Sequence, residues 1–224
     1  MNSLSTEFHD IETWIFDLDN TLYHSSINLF DQIDKRMCDY VSKFLGISAS
    51  DAYKIQKSFF REYGTTLRGM MECHNMDPGP YLDYVHDIDF TNIKVDHAMA
   101  AALDVLPNHK IIFTNATKKY ADQVIKCLKI DHHIDNIFDI IDADYNPKPS
   151  PEIYLQFIRK FNINPKTAIM VEDMARNLIP AANLGMKTVW VKTGQHWAHN
   201  GIDSIHPDYI TDNLSQWLSM ITTN

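Results

Sequence analysis

The chain of 224 residues is poor in glycine, cysteine and positive charge, and each shortage narrows what it does. It has 7 glycines, and none forms the Gly-x-x-x-x-Gly-Lys-Ser/Thr loop whose backbone amides cradle nucleotide phosphates. A Gly-x-Ser-x-Gly nucleophile elbow and a His-Glu-x-x-His zinc pair are also missing. The 3 cysteines, Cys38, Cys73 and Cys127, are odd in number and far apart. They suit buried free thiols in a reducing compartment better than a disulfide framework or a zinc site. With 20 Lys and Arg against 29 Asp and Glu, the formal charge is -9. A broad basic surface that neutralises a nucleic-acid backbone is therefore not expected. No apolar run approaches the roughly 20 residues that span a bilayer. The amino terminus lacks the basic start and apolar stretch of a secretory signal. The expectation is a soluble, cytoplasmic protein, a monomer or small homo-oligomer, with neither a nucleic-acid polymer nor a membrane as partner.

What is present centres on Thr13 to Tyr23. Trp14, Ile15 and Phe16 form a short β-favouring apolar run that stops at Asp17, with Asp19 two positions on. Side chains two apart leave a strand on one side, so both carboxylates can enter one pocket. Two such anions repel unless a cation lies between them or one holds a proton. A carboxylate pair after a strand also begins turns and caps helices, so the rest of the chain has to decide.

From 23 to 94 the pattern is helical. Phe30, Ile33, Met37, Tyr40, Val41, Phe44 and Leu45 recur with helical spacing up to Gly46. Ser50 or Asp51 can cap the next helix, a further one covers about 66 to 74, and Pro78-Gly79-Pro80 breaks the pattern before Tyr81 to Val85. From about Val95, strands and helices alternate: apolar runs at 110–113, 138–141, 168–171 and 187–191 are separated by helical segments. The last clear strand is 187–191. This order predicts an α/β fold, a doubly wound, mostly parallel sheet with a Rossmann-like core formed by 1–22 and 95–224. A small helical cap domain, 23–94, is inserted after the first strand. Three strands end in polar signatures, Asp17/Asp19, Thr114/Asn115 and Glu172/Asp173, where ligands bind in such sheets.

Asp-Leu-Asp-Asn-Thr, Thr114, Lys148 and Glu172-Asp173 resemble, in type and order, the four motifs of the haloacid dehalogenase-like hydrolases, most of which are Mg²⁺-dependent phosphatases. The resemblance covers nearly the whole chain. It implies a phosphomonoester hydrolase with Asp17 as nucleophile, forming an aspartyl-phosphate, and Asp19 as acid and base. Thr114, Asn115 and Lys148 would hold the phosphate. Asp17, the backbone carbonyl of Asp19, and Asp173 would hold Mg²⁺, with Glu172 and Asn177 supporting. Each residue also has a plainer reading: Thr114 as a helix cap, Lys148 as a loop lysine, Glu172 as helix-start electrostatics, Asn177 as a surface residue.

Phe59 to Met71, with Asp-Leu-Asp-Asn-Thr-Leu-Tyr and Thr114-Asn115-Ala116, is similar to the pyrimidine 5′-nucleotidase branch. That similarity implies a small phosphorylated metabolite, a nucleoside monophosphate such as UMP or CMP, as substrate. Tyr63, Thr65 and Arg68 would meet its sugar or base. Their plainer readings are cap packing and a surface ion pair. Alternatives are a phosphatase or phosphotransferase for phosphoglycolate or a sugar phosphate, and a non-catalytic phosphate-sensing module. His196 and His199 read as loop histidines, and Trp197 as a packing residue.

Overall fold

The computed structural model describes residues 5–222. The sheet comprises β1 (Thr13–Phe16), β2 (His109–Phe113), β3 (Asn136–Phe138), β4 (Ala168–Glu172), β5 (Lys187–Val191) and β6 (Tyr209–Thr211). Its six strands lie in the order β3-β2-β1-β4-β5-β6, and every pairing is parallel.

Alternate strand residues serve two cores, which is why these strands read as continuous apolar runs. Trp14, Phe16, Ile112, Ile169, Val171 and Val189 face one core. They are covered by α5 (His97–Val105), α6 (Lys118–Leu128) and α9 (Leu214–Thr222), through residues such as Leu103, Val124 and Leu218. Ile15, Ile111, Phe113, Met170 and Trp190 face the other, under α7 (Pro151–Lys160) and α8 (Ala175–Asn183). Helices on both faces make the sheet doubly wound, as its pattern predicts. The chain changes direction across the sheet between β1 and β4, the switch point at which such folds open a crevice.

Between β1 and α5 lie α1 (Leu29–Leu45), α2 (Ala49–Glu62), α3 (Thr66–His74) and α4 (Pro78–Val85), which pack on one another. Gly46, at φ +65°, closes α1 as expected. α2 is capped by Ser48, whose hydroxyl accepts from the Asp51 amide at 3.1 Å, and not by Ser50 or Asp51. α4 begins at Pro78 itself. Asp77 accepts from the Gly79 amide at 3.0 Å, and the prolines fall in the first turn, where a missing amide costs nothing. α2 and α3 approach so closely that a Cβ on Gly69 would stand 2.3 Å from the Phe59 ring.

Two strands depart from the sequence reading. β3 ends at Phe138 because Asp139 turns the chain, its carboxylate accepting from the amides of Ile141, Asp142 and Lys118. β6 is a further strand of three residues at the sheet edge, too short and too exposed to show a pattern. None of the cysteines is buried: Cys73 is exposed, and Cys38 and Cys127 are half-buried. Cys73 lies on the outer side of α3, where its thiol donates to the Tyr63 hydroxyl at 3.3 Å. Among the described residues, no helix is long and apolar enough to cross a membrane.

Candidate active site

The register of the central strands brings the polar signatures together. Phe16 pairs with Ile112 on one side and Val171 on the other, so the next residues out are Asp17, Phe113 and Glu172. The Asp17 amide extends the ladder by donating to the Val171 carbonyl at 2.9 Å, and the Thr114 amide donates to the Phe138 carbonyl at 3.0 Å.

The Lys148 ammonium enters from the loop between β3 and α7. It donates to Asp17 Oδ1, Glu172 Oε2 and the Phe113 carbonyl, each at 2.7 Å. All three of its protons are used, and its side chain is only 1% exposed, so the reading of a solvated loop lysine is excluded. Burial works against the ammonium, yet the charges of Asp17 and Glu172 raise its pKa above the usual value. The opposite Asp17 oxygen, Oδ2, accepts from the Thr21 hydroxyl at 3.0 Å.

Asn115 takes a different position from the one expected. Its side chain accepts from the Lys148 amide at 2.8 Å and donates to the Lys148 carbonyl at 3.3 Å. It fixes the lysine loop. Thr114 is buried, and its hydroxyl accepts from the Ala116 amide at 3.0 Å, with its own proton still available to a ligand.

Glu172 is fully engaged: Oε2 accepts from Lys148 and Oε1 from the Met174 amide at 3.2 Å. Asp173 is not. Its backbone carbonyl accepts from the Trp190 indole at 2.8 Å, but its buried Oδ2 has no hydrogen-bond partner among the described residues. Carboxylate oxygens of Asp17, Glu172 and Asp173 all lie within 4.8 Å of one another. Burial pushes the Asp17 carboxyl up to about 7, with Glu172 adding to the rise and Lys148 opposing it. Burial, then Glu172 and Asp17, hold Asp173 well above the usual carboxylate range. Three carboxyl groups thus face one ammonium, an imbalance of two charges that a divalent cation matches. An all-oxygen donor set with one orphaned buried carboxylate oxygen fits Mg²⁺ in charge and hardness.

Asp19 is half-buried, and its Oδ1 accepts from two hydroxyls, those of Tyr23 and Tyr120, the latter at 2.7 Å. Burial raises its pKa, while the two tyrosine bonds lower it. Asn177 is buried in the first turn of α8, where its carbonyl accepts from the Tyr154 hydroxyl and its Oδ1 is unpartnered among the described residues. The surface reading of Asn177 is therefore excluded.

The three cap residues hold local roles. Tyr63 packs edge-on against Phe59, with ring centroids 5.5 Å apart. Thr65 caps α3 by accepting from the Arg68 amide at 3.1 Å, and Arg68 pairs with Glu72 at 2.5 Å. They nevertheless flank Gly64, where a Cβ would lie 3.1 Å from Pro147 and 3.5 Å from the Lys148 carbonyl. The turn between α2 and α3 therefore lies against the lysine loop. Arg176, which the sequence reading missed, ties the same turn down by donating to the Gly64 carbonyl at 3.0 Å and the Phe60 carbonyl at 3.4 Å. Trp197 packs against Phe30 and Phe60 at 6.2 and 6.4 Å, joining the 194–208 segment to the helical insert. His196 and His199 are exposed.

Thr21, Tyr23, Tyr120 and Arg176 complete the surroundings. Thr21 and Tyr23 are four residues beyond Asp17 and Asp19, a spacing that signals proximity. Nothing in sequence marks Tyr120, which meets Asp19 across 101 positions.

An α/β sheet whose switch point holds an acidic trio and a buried lysine defines a hydrolase of the haloacid dehalogenase class. Residues 14–191 match the model of the haloacid dehalogenase-like hydrolases, and the chain belongs to that family. It is 33% identical over 95 residues to glyceraldehyde 3-phosphate phosphatase of Pyrococcus furiosus, covering 42% of this chain and 39% of that protein. To Phosphate metabolism protein 8 of Saccharomyces cerevisiae it is 24% identical, covering 78% of this chain and 60% of the yeast protein. The chain therefore spans less than two thirds of the length of these two relatives. To Pyrophosphatase PpaX of Bacillus mycoides it is 23% identical, over 95% of this chain and 97% of PpaX. A HAD phosphatase from Thermococcus onnurineus has the same fold, with a TM-score of 0.62 at 19% identity over 96% of this chain and 99% of that one.

Proposed function

We propose that the chain is a Mg²⁺-dependent phosphomonoester hydrolase that acts through an aspartyl-phosphate. The observation that carries this reading is the Lys148 ammonium, buried between Asp17 and Glu172 beside Asp173, whose Oδ2 has no partner among the described residues. A relative named as a phosphatase and another named as a pyrophosphatase support it.

An oxygen of Asp17 attacks phosphorus, and the bond from phosphorus to the ester oxygen breaks. Asp19 gives its proton to that leaving oxygen, then takes a proton from the water that attacks the aspartyl-phosphate and frees inorganic phosphate. The Thr114 hydroxyl donates to a phosphoryl oxygen, and Lys148, its protons held by Asp17, Glu172 and Phe113, offsets the developing charge as a nearby positive charge. Asn115 and Glu172 act by holding Lys148 in place. Asp17, the Asp19 carbonyl and Asp173 would hold Mg²⁺, with Asn177 in support. The ion supplies electrostatic stabilisation of the phosphoryl group being transferred.

The helical insert, 23–94, serves as a cap over this site, and Gly64 marks where it reaches the lysine loop. For the substrate, the Phe59–Met71 segment favours a pyrimidine nucleoside monophosphate such as UMP or CMP, read by Tyr63, Thr65 and Arg68. The glyceraldehyde 3-phosphate phosphatase relative favours a smaller phosphate ester as the second reading.

The test is phosphate release from UMP, CMP, dUMP, AMP, phosphoglycolate, glyceraldehyde 3-phosphate, sugar phosphates and pyrophosphate, each with Mg²⁺ and with EDTA. Metal-dependent release that favours UMP or CMP is expected. A preference for a small ester keeps the mechanism and removes the nucleotide assignment. Asp17→Asn should fold and release no phosphate; normal turnover by that variant sinks the nucleophile assignment.

A further inference from the structure

We propose that Tyr23 and Tyr120 are positioning residues for Asp19: both hydroxyls donate to its Oδ1, so the proton exchanged with the leaving group and water travels through Oδ2. The inference rests on Asp19 being the acid and base of the reading above.

The geometry is specific. Tyr23 and Tyr120 are both buried, and both donate to the same carboxylate oxygen of Asp19. Two O–H donors occupy the lone-pair directions of Oδ1, and a proton placed there would confront both. The acidic proton is therefore confined to Oδ2. An unrestrained carboxyl rotates about its last torsion, which is soft and nearly two-fold, and so exchanges its two oxygens. Two donors on one oxygen stop that exchange and leave Oδ2 as the oxygen able to carry the proton, a preorganisation made before substrate arrives.

The donors come from different elements. Tyr23 follows Asp19 by four residues in the same segment, whereas Tyr120 projects from the first turn of α6. Tyr120 is itself fixed by His86, whose ring stacks on it at 4.6 Å between centroids and 18° between planes. His86 in turn meets the Thr117 hydroxyl through Nδ1 at 3.2 Å. The end of the helical insert thus braces a core tyrosine that holds the acid, 34 residues away along the chain from His86.

A tyrosine that only packed would affect every substrate alike. A tyrosine that orients a proton donor matters most when the leaving oxygen needs that proton. The experiment compares the single-turnover release of phenol from phenyl phosphate with that of dinitrophenol from 2,4-dinitrophenyl phosphate, both with saturating Mg²⁺. Dinitrophenolate departs without a proton. The proteins are wild type, Asp19→Ala, Tyr23→Phe, Tyr120→Phe and the double Phe variant. Each Phe ring keeps its packing, and thermal melts report folding; if the double variant does not fold, the single variants decide.

Expected is a loss of about tenfold in phenol release for each single variant, the size of one hydrogen bond to a charged group. The double variant should lose about a hundredfold, with dinitrophenol release changed by less than about twofold. Equal losses on both esters, or phenol release at the wild-type rate, would overturn the inference. Asp19→Ala separates it from the reading beneath it. If Asp19→Ala discriminates between the esters and the tyrosine variants do not, the positioning role alone falls. If Asp19→Ala does not discriminate, the acid assignment falls and the inference with it.

Discussion

Lys148 donates to Asp17 at 2.7 Å across 131 positions of chain, in a site where the lysine side chain is 1% exposed. Burying an ammonium between carboxylates is tolerated only while the charges are paired. Lys148→Met, close in length and volume, leaves Asp17 and Glu172 facing each other without a cation. We expect a loss of about 3–5 kcal/mol in metal-free unfolding free energy, measured by urea denaturation, together with loss of phosphate release. A metal-free stability equal to wild type would show that the ammonium does not neutralise the pair.

Asp173 supplies the orphaned oxygen, so its replacement should separate metal binding from folding. At a hundredfold excess over Kd, Mg²⁺ should stabilise the wild type by ~2.7 kcal/mol. For a chain of this size, each kcal/mol raises Tm by roughly 2–4 °C. Asp173→Asn should fold and lose most of that rise in a thermal-shift titration. An undiminished rise would place the cation elsewhere.

His86 gives folding a pH signature of its own. Burial pushes its imidazole down to about 4, with Asp83 opposing and Lys119 adding to the shift, while Thr117 and Tyr120 are its direct contacts. Because the folded pKa lies below the unfolded one, this histidine's contribution to stability is full above about 6.5. It is lost as pH falls through about 4. The difference in unfolding free energy between wild type and His86→Gln should therefore shrink between those values. A difference that stays constant over the same range would remove His86 from the acid transition.

Arg68 and Arg176 should divide the work of the insert. Arg176 donates to the Gly64 and Phe60 carbonyls and lies over the Phe60 ring at 4.4 Å. Arg176→Ala should lower kcat/KM on all esters by about tenfold, since it removes charge-assisted bonds between core and insert. Among the described residues, the Arg68 side chain pairs with Glu72 of its own helix. Arg68→Ala should lower kcat/KM for UMP more than for phenyl phosphate. Equal losses on the two substrates would exclude Arg68 from reading the nucleoside.

Much of the fold was legible because its signals are local. Apolar runs that stop at carboxylates, Gly46 after α1 and Pro151 at the start of α7 report conformations set by neighbouring residues. The turn at Asp139 and the short edge strand β6 escaped. One depends on side-chain bonds to a distant amide, Lys118, and the other on pairing alone. Among the site residues, Asp17, Asp19, Thr114, Glu172 and Asp173 stand out as polar residues at strand ends, whereas Lys148, in the loop before α7, is marked only by the resemblance to the family's motifs. The Asn115 side chain clamps the Lys148 backbone, a contact that no residue type announces.

By itself, the sequence determined the alternation of strands and helices, the order of the polar strand ends and the chemical types gathered there, because covalent order and side-chain period are intrinsic to the chain. Tertiary structure alone decided which oxygens are free. Lys148 spends its three protons on Asp17, Glu172 and Phe113, and two tyrosines fill one oxygen of Asp19, while Oδ2 of Asp173 is left without a partner among the described residues. Hydrogen-bond capacity is finite and directional, so its allocation depends on positions in space that no run of residues encodes.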